Sequence, residues 1–317
     1  MKRYNFRHRA GYSASLHVNL IMEMHSNTPP PVAPGEGSQT AAKHFRLPLW
    51  LATPALQLSA GLHFICAVLT ALDPAIWKWT LGAIIANHVL ILATVVMWPR
   101  SRLLGPNMIR LPAAAALRGE VALTFDDGPD PIVTPQVLDL LDRYGAKASF
   151  FCIADKAIAH PELTREIIRR GHSVENHTNS HPHTFPFFGP NAMHREIDLA
   201  QNAIYATTGI APIFFRAPMG FRNPFLAPVV ERAGLRYVNW TRRGFDTFAK
   251  SAEPVLKRLQ RGLAAGDILL LHDSCSIRPH GGSPVILEVL PRLLEHLQIL
   301  NLRSVALHSA CGHAGKL

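Results

Sequence analysis

Val121-Ala-Leu-Thr-Phe-Asp-Asp-Gly-Pro129 is the stretch on which the reading of this chain turns. It opens as an apolar run with β-branched and aromatic members, the pattern of a buried strand. Two adjacent carboxylates, Asp126 and Asp127, end the run, and Gly128-Pro129 after them is a turn signal. A strand ending on two acids sets both at the mouth of a parallel sheet or barrel, where such folds carry out their chemistry. By itself the stretch reads equally well as a strand followed by an Asp-Gly turn. The residues downstream decide.

From Gly119 onward, apolar strands alternate with capped helices. Thr134-Pro135 reads as an N-cap and first-turn pair, and Gly145 ends a helix carrying Val137, Leu138, Leu140 and Leu141. A strand is expected over 148–153, then a helix opened by His160-Pro161 and closed at Gly171, then a short strand through Val174. Further strands are expected at 213–215, 237–240, 268–271 and 304–307, with helices near 191–206, 225–233, 253–265 and 284–299. About seven βα units in register predict an α/β fold, a distorted (β/α) barrel.

The polar residues of interest fall at the C-terminal ends of these strands. Asp126 and Asp127 come first. His177-x-x-x-His181 sets two imidazoles four residues apart, which one turn of helix would bring to the same side. In a chain with 17 histidines such a pair is as readily a surface accident. With an Asp from a neighbouring strand end, His-His-Asp supplies three ligands and leaves an open position on a Zn²⁺-like ion. Arg216-Ala-Pro-Met-Gly220 follows one strand, and Trp240 with Arg243-Gly-Phe-Asp246 follows the next; alone, each is readable as a surface loop. Asp267-Ile-Leu-Leu-Leu-His-Asp273 is a buried strand ending in His-Asp, on which Leu270 and His272 share a face.

Taken in order, TFDDGP, HTNSH, RAPMG, a fourth motif containing Asp and LLHD resemble the motifs of the polysaccharide deacetylases, also called carbohydrate esterase family 4. The resemblance spans roughly residues 119 to 310. It implies that Asp126 is the general base, oriented by Arg216, and that Asp127, His177 and His181 hold a divalent metal, Zn²⁺ or Co²⁺. It also implies that His272 is the general acid and that Leu270 lines a pocket for the acyl methyl. Met219 would contact substrate through its backbone N–H, with Pro218 beside it, and Asp246 would tune Arg216 or the acid. The chemistry is sound on independent grounds. Metal coordination polarises an acyl carbonyl and acidifies water, a carboxylate takes the proton, and a backbone N–H stabilises the oxyanion. An amine leaves poorly without a proton, so losing the acid should cost on the order of 10²–10⁴-fold. Two positions depart from the family pattern. Met219 stands where many members have Tyr, and Thr247 follows Asp246 where Trp is common. His183-Thr-Phe-Pro-Phe-Phe-Gly189 is expected to supply an apolar rim instead.

At 317 residues and 48% apolar content the chain has ample material for a core, in one large domain or two ordinary ones. A net charge of +10 fits nucleic acid, an anionic membrane surface or an anionic substrate. The chain has no run of Lys and Arg with interleaved aromatics of the kind a nucleic-acid reader shows. The basic residues cluster beside apolar segments, which favours the membrane. Cys66, Cys152, Cys275 and Cys311 form no CxxC, so neither a disulfide framework nor a zinc ribbon is indicated, and a reducing compartment is compatible.

Residues 1–46 are polar and without periodicity, and are expected to form a disordered basic tail. They do not have the compact apolar segment and cleavage site of a secretory signal, and Met22 or Met24 is an alternative start. Two uncharged apolar stretches follow, 47–72 with Gln57 and His63 as interruptions and 80–98 with Asn87 and His88. Each has about the twenty residues needed to span hydrocarbon, and Trp77, Trp79 and Trp98 sit near the ends as interfacial anchors do. Pro54 makes the first the weaker span, and a buried hairpin of a soluble protein is the alternative. Lys43 and Arg46 precede the pair, Arg100, Arg102 and Arg110 follow it, and the connecting loop offers only Lys78. Positive-inside counting therefore expects a two-pass inner-membrane protein with both ends cytoplasmic. The expected plan is a tail over 1–46, two spans over 47–98, a linker over 99–118 and a catalytic domain over 119–317.

The expected function is a membrane-anchored, metal-dependent hydrolase of an N-acetyl or N-formyl amide on a sugar. For a cytoplasmic domain the expected partners are a lipid-linked sugar and the bilayer, with no nucleic acid and no evident protein partner. The same chemistry facing the periplasm would act on peptidoglycan or exopolysaccharide. A non-catalytic sugar-binding protein has no need for both a metal triad and an acid–base pair. A phosphoesterase is disfavoured because three ligands are too few for a two-metal clamp.

Overall fold

The computed structural model describes residues 53–96, 98–274 and 283–312. The tail expected over 1–46, the alternative starts Met22 and Met24, the beginning of the 47–72 stretch and Cys275 lie outside the described residues.

Strand β1 (Glu120–Asp126) is the centre of the sheet and is buried along its whole length. Its odd-numbered residues Val121, Leu123 and Phe125 pack into a core shared with Val137, Leu138 and Leu141 of the helix Val133–Arg143. Ala122 belongs to a second core with Phe151, Phe214 and Ile268. Alternation places Thr124 and Asp126 on the same side as Ala122. Burial on both faces is why the strand reads as a continuous apolar run.

The other strands are β2 (Ala148–Cys152), β3 (Ser173–Asn176), β4 (Phe214–Phe215), β5 (Arg236–Tyr237), β6 (Arg242–Arg243), β7 (Ile268–His272) and β8 (Arg303–Ser304). They run in the order β5-β4-β3-β2-β1-β7-β6, with β8 pairing the start of β1, and every pairing is parallel. This is the expected α/β architecture, an open (β/α) barrel. Register puts Asp126 beside Phe151 and His272, Cys152 beside Asn176, and Asn176 beside Phe215. The residues at and just beyond these strand ends therefore share one rim.

The helices Pro161–Arg169, Pro190–Thr208, Leu226–Arg232, Ala252–Gln260 and Val285–Ile299 fall where the periodicity places them. The helix Ala154–Ala159 and strand β6 were not expected, since six residues and two residues are too short to carry a periodic signal. Expected strand 304–307 is shorter, because Leu307 already begins the helix Leu307–Cys311. Thr134 does not cap its helix. Asp130 Oδ1 accepts from the Ile132 and Val133 amides, both at 2.8 Å, while the Thr134 hydroxyl donates to Asp273 Oδ2 at 2.5 Å.

The N-terminal helices Pro54–Leu72 and Trp77–Val96 are each long and apolar enough to cross a membrane. Asn87 Nδ2 donates to Ser59 Oγ at 2.7 Å, the Thr70 and Thr80 hydroxyls meet at 2.7 Å, and the His63 and His88 rings meet edge-on at 5.1 Å. Leu58, Phe64, Leu72, Trp79 and Leu90 stay exposed on the outside. The outer faces of this hairpin are not buried in a core.

Residues 99–118, expected as a linker, pack into the barrel. Met108 N–H donates to Tyr237 O, Asn239 N–H to Met108 O and Leu111 N–H to Gly266 O. Asn239 Nδ2 donates to Pro99 O at 2.7 Å, and the buried Arg222 guanidinium donates to the Ser101, Gly105 and Pro106 carbonyls. These contacts tie the segment to the edge strand β5 and to the residues that lead into β7. The physical reason is that a sheet ending at β5 leaves backbone donors and acceptors that must be satisfied.

Candidate active site

At the rim, Arg216 Nη1 donates to Asp126 Oδ1 at 2.6 Å and to Thr124 Oγ1 at 2.9 Å. The Arg216 guanidinium is wholly buried, lies 4.1 Å from the Phe151 ring centroid, and gives its other donors to Val238 O and Asn239 O. A buried cation with this many partners is fixed in place, and so is the carboxylate it holds.

Consecutive strand residues point to opposite faces, so Asp126 and Asp127 could not share a site on a regular strand. Asp127 has φ 73°, a left-handed turn that breaks the alternation where β1 ends. His177 Nε2 then lies 3.9 Å from Asp126 Oδ2 and 3.3 Å from Asp127 Oδ1. His181 Nε2 is also 3.3 Å from Asp127 Oδ1.

The helical turn expected for His177 and His181 is absent. They flank a loop with Thr178 at φ 67° and His181 at φ 53°. The loop is tied by Ala154 and Asp155 amides to Thr178 O and Asn179 O, and by Glu196 accepting from the Asn179 and Ser180 amides. Tertiary hydrogen bonds, not helix geometry, bring the rings together.

One ligand atom from each of Asp127, His177 and His181 lies within 4.8 Å of the others. His177 Nδ1 is 2.8 Å from Arg216 O, an acceptor only, so the ring proton sits on Nδ1 and the Nε2 lone pair is left for the cluster. A tetrahedral ion with bonds of about 2.0–2.1 Å separates its ligand atoms by roughly 3.3 Å. The donor set and spacing fit a Zn²⁺-like cation. Burial favours the neutral acid at Asp127, but the neighbouring imidazoles, His177 before His272 and His181, outweigh it and hold its pKa well below the ordinary value. Burial, with His177 beside it, pushes His181 down to about 4, so its imidazole is neutral near pH 7.

His272 Nδ1 is 2.9 Å from Asp246 Oδ1, and its backbone N–H donates to Asp246 Oδ2 at 2.7 Å. Burial opposes charge on this ring. The Asp246 carboxylate, assisted by Asp127 and Asp126, overcomes that and raises the pKa to about 9. Asp246 thus pairs with His272 and not with Arg216.

Asp126, Asp127, His177, His181 and His272 line one cavity of about 380 Å³, together with Met219, Leu270, Trp240, Arg243, His183 and Phe248, while Arg216 and Asp246 are buried behind it. Met219, at φ 58°, has an N–H with no protein partner among the described residues. Gly220 has φ 74°, and a Cβ there would collide with the Trp240 ring. Pro218 is buried and does not line the cavity. The expected rim 183–189 contributes His183 alone, since Phe185 is consumed by the core. Phe248, mostly exposed, supplies the apolar edge. The sequence reading missed it because nothing in its neighbourhood marks it as more than a loop residue. It also gave no role to Asp273, whose carboxylate would collide with any side chain at Gly128 and which burial, partly offset by Thr134, pushes up to about 7.

The polysaccharide deacetylase family model matches residues 114–238. A peptidoglycan-N-acetylglucosamine deacetylase of Bacillus cereus is 32% identical over 178 residues, covering 55% of this chain and 81% of that protein. The chain belongs to the polysaccharide deacetylase family. A chitooligosaccharide deacetylase of Sinorhizobium fredii is 35% identical over 156 residues, 49% of this chain and 72% of that one. Among solved structures, a family 4 carbohydrate esterase from Streptomyces lividans in complex with acetate is 33% identical, with a TM-score of 0.53 over 59% of this chain and 91% of that one. A crystallised peptidoglycan N-acetylglucosamine deacetylase is 27% identical, with a TM-score of 0.58 over 69% of this chain and 95% of that one. As a member of this family of sugar N-deacetylases, the chain is a hydrolase acting on a C–N bond. Asp126, Asp127, His177, His181 and Arg216 fall inside the matched stretch, whereas Asp246 and His272 lie beyond it.

Proposed function

We propose that this deacetylase removes an N-acetyl or N-formyl group from a sugar with Asp126 as general base and His272 as general acid, at a site completed by a divalent cation on Asp127, His177 and His181. The observation that carries the reading is the convergence on one cavity of the His-His-Asp cluster, the Arg216-held carboxylate and the Asp246-held imidazole. A cation such as Zn²⁺ bound there would supply Lewis acidity to the acyl carbonyl and lower the pKa of a water. Asp126, held by Arg216, takes the proton of the attacking water. The Met219 N–H donates to the oxyanion that develops on the carbonyl oxygen. His272, kept protonated by Asp246, gives its proton to the departing amine. Leu270 and Trp240 exclude water from the acyl side of the cavity.

The exposed apolar faces of Pro54–Leu72 and Trp77–Val96 support a two-span membrane anchor, and the flanking arginines support a cytoplasmic catalytic domain. A lipid-linked sugar is then the substrate within reach. The activity of the Bacillus cereus relative on peptidoglycan favours a second reading, peptidoglycan on the periplasmic side. Acid release by detergent-solubilised protein from N-acetylated and N-formylated sugars, free and lipid-linked, tests the chemistry, with phosphate release followed in parallel. Release that requires Zn²⁺ or Co²⁺ and vanishes in Asp126→Asn is expected. Glycan binding without release of acid would move the assignment to a sugar-binding protein. A reporter fused after Leu317 that works only in the periplasm would reverse the orientation.

A further inference from the structure

Beside the catalytic cavity lies a second one, of about 360 Å³, whose wall includes Arg100, Arg242, Arg243 and Arg258 and no acidic residue. The two cavities share Trp240 and Arg243 as a common wall. Arg242 is matched, since it pairs with Asp267 and donates to the Arg261 and Gly262 carbonyls. The other three are not. Among the described residues, none of Arg100, Arg243 and Arg258 forms an ion pair, and the carboxylates Asp126, Asp246 and Asp127 act on Arg243 only at longer range. Arg100 donates to Thr241 O at 2.9 Å, and Arg258 reaches the Gly244 and Pro254 carbonyls only at 3.4 and 3.3 Å.

Arg243 is the most unusual of them. Its guanidinium lies 5.3 Å from the Trp240 ring centroid and 4.8 Å from that of Phe245, and its Nε is buried with no hydrogen-bond partner. Arg258 lies 5.7 Å from the same Phe245 ring. Phe245 adopts φ 61°, a conformation costly for a bulky residue, and so stands between two cations. Stacking on aromatic faces satisfies a guanidinium's planes and leaves its N–H edges for an acceptor. Three unmatched cations converging on one cavity call for a multiply charged anion, and the guanidinium fork matches phosphate oxygens.

We propose that the pocket of Arg100, Arg243 and Arg258 binds a phosphate group esterified to the sugar whose acylated amine occupies the adjacent catalytic cavity. The assignment rests on the deacylase reading above and narrows its substrate class to phosphate-bearing sugars. Position favours a lipid-borne phosphate. Arg100 is four residues beyond Val96, the end of the second apolar helix, so the pocket begins where that helix stops and where the phosphates of a lipid carrier lie.

The test uses full-length protein in detergent micelles with Asp126→Asn to prevent turnover. Dissociation constants are measured for N-acetylglucosamine, N-acetylglucosamine 1-phosphate, the same sugar on farnesyl diphosphate, and glycerol 3-phosphate. The phosphate is expected to tighten sugar binding at least tenfold, and both Arg243→Gln and Arg258→Gln are expected to remove most of that advantage. Arg258 is exposed, so its substitution reads the pocket even where Arg243→Gln disturbs folding. Further tightening on the farnesyl-linked sugar identifies a lipid-borne substrate, and equal binding a soluble sugar phosphate. The proposal is overturned by equal affinity for the plain and phosphorylated sugars, by a preference that survives both substitutions, or by glycerol 3-phosphate binding as tightly as the sugar phosphate, which marks a bystander lipid headgroup. If wild-type protein shows the phosphate preference but frees no acid from any acylated sugar, the deacylase reading falls and the pocket stands.

Discussion

Asp126 and His272 stand opposite each other as register partners on the adjacent parallel strands β1 and β7. Each is held by a buried opposite charge that reaches it from elsewhere in the chain, Asp126 by Arg216 at 2.6 Å and His272 by Asp246 at 2.9 Å. A proton acceptor and a proton donor are thereby fixed one strand apart, on either side of the same cavity. The proposed reaction needs both, one when water attacks and the other when the amine leaves.

Arg216→Met removes the guanidinium bonded to the buried Asp126 carboxylate. We expect a loss of about 3–5 kcal/mol in unfolding free energy, the cost typical of breaking a buried pair from one side. Adding Asp126→Asn should recover part of it. Urea denaturation of the two single variants and the double variant measures the coupling, and strict additivity would show that the pair is not coupled.

Asp246→Asn should act through His272. The wild-type imidazole, with a pKa near 9, stays protonated through neutral pH, so kcat should fall on the alkaline side near that value. Without the carboxylate the alkaline limb should move down toward the ordinary imidazole value of about 6.5. Stability carries the same sign. A raised imidazole pKa contributes stabilisation that is complete below about 6.5 and is lost as pH rises through about 9. Rate–pH profiles of both proteins check this, and coincident alkaline limbs would reject the role of Asp246.

Chelation should lower the Tm of the wild-type protein, and added Zn²⁺ should restore it, because an ion that binds only the folded state stabilises it by mass action. His177→Ala should show no such response. Since His181 titrates at about 4 and Asp127 remains ionised to still lower pH, metal retention should be flat between pH 6 and 8 and fail as pH drops toward 4. Differential scanning fluorimetry with and without chelator, across pH, reads both effects. Retention that already fails at pH 6 would contradict the assigned ligands.

Gly220→Ala meets two obstacles, a φ of 74° and the Trp240 ring in the space a Cβ would take. Destabilisation of about 1–3 kcal/mol is expected from the strain and the displaced ring. Trp240 walls both cavities, so substrate KM should rise as well. Thermal unfolding together with steady-state kinetics tests this, and an unchanged Tm would mean the loop accommodates the methyl.

Much of the candidate site was legible in the sequence. Motif order along the chain named Asp126, Asp127, His177, His181, Arg216 and His272, and strand periodicity placed them at strand ends. The reasoning from local geometry failed at His177 and His181, because their approach depends on left-handed backbone at Thr178 and His181 and on hydrogen bonds to Ala154, Asp155 and Glu196. It failed again at residues 99–118, whose irregular sequence gives no sign that they pack against the edge strand β5.

What the sequence determined by itself is what repeats or is local: alternating apolar periods, capping and turn residues, the length of two uncharged helices, and short motifs in a recognisable order. Tertiary structure alone decided which side chains meet. Asp246 bonds to His272 and not to Arg216, Phe248 edges the cavity while Phe185 is lost to the core, and Arg100 joins Arg243 and Arg258 across more than a hundred residues of chain. Those pairings depend on strand register and on which buried charge finds which partner. Both are properties of the packed whole, and no window of sequence encodes them.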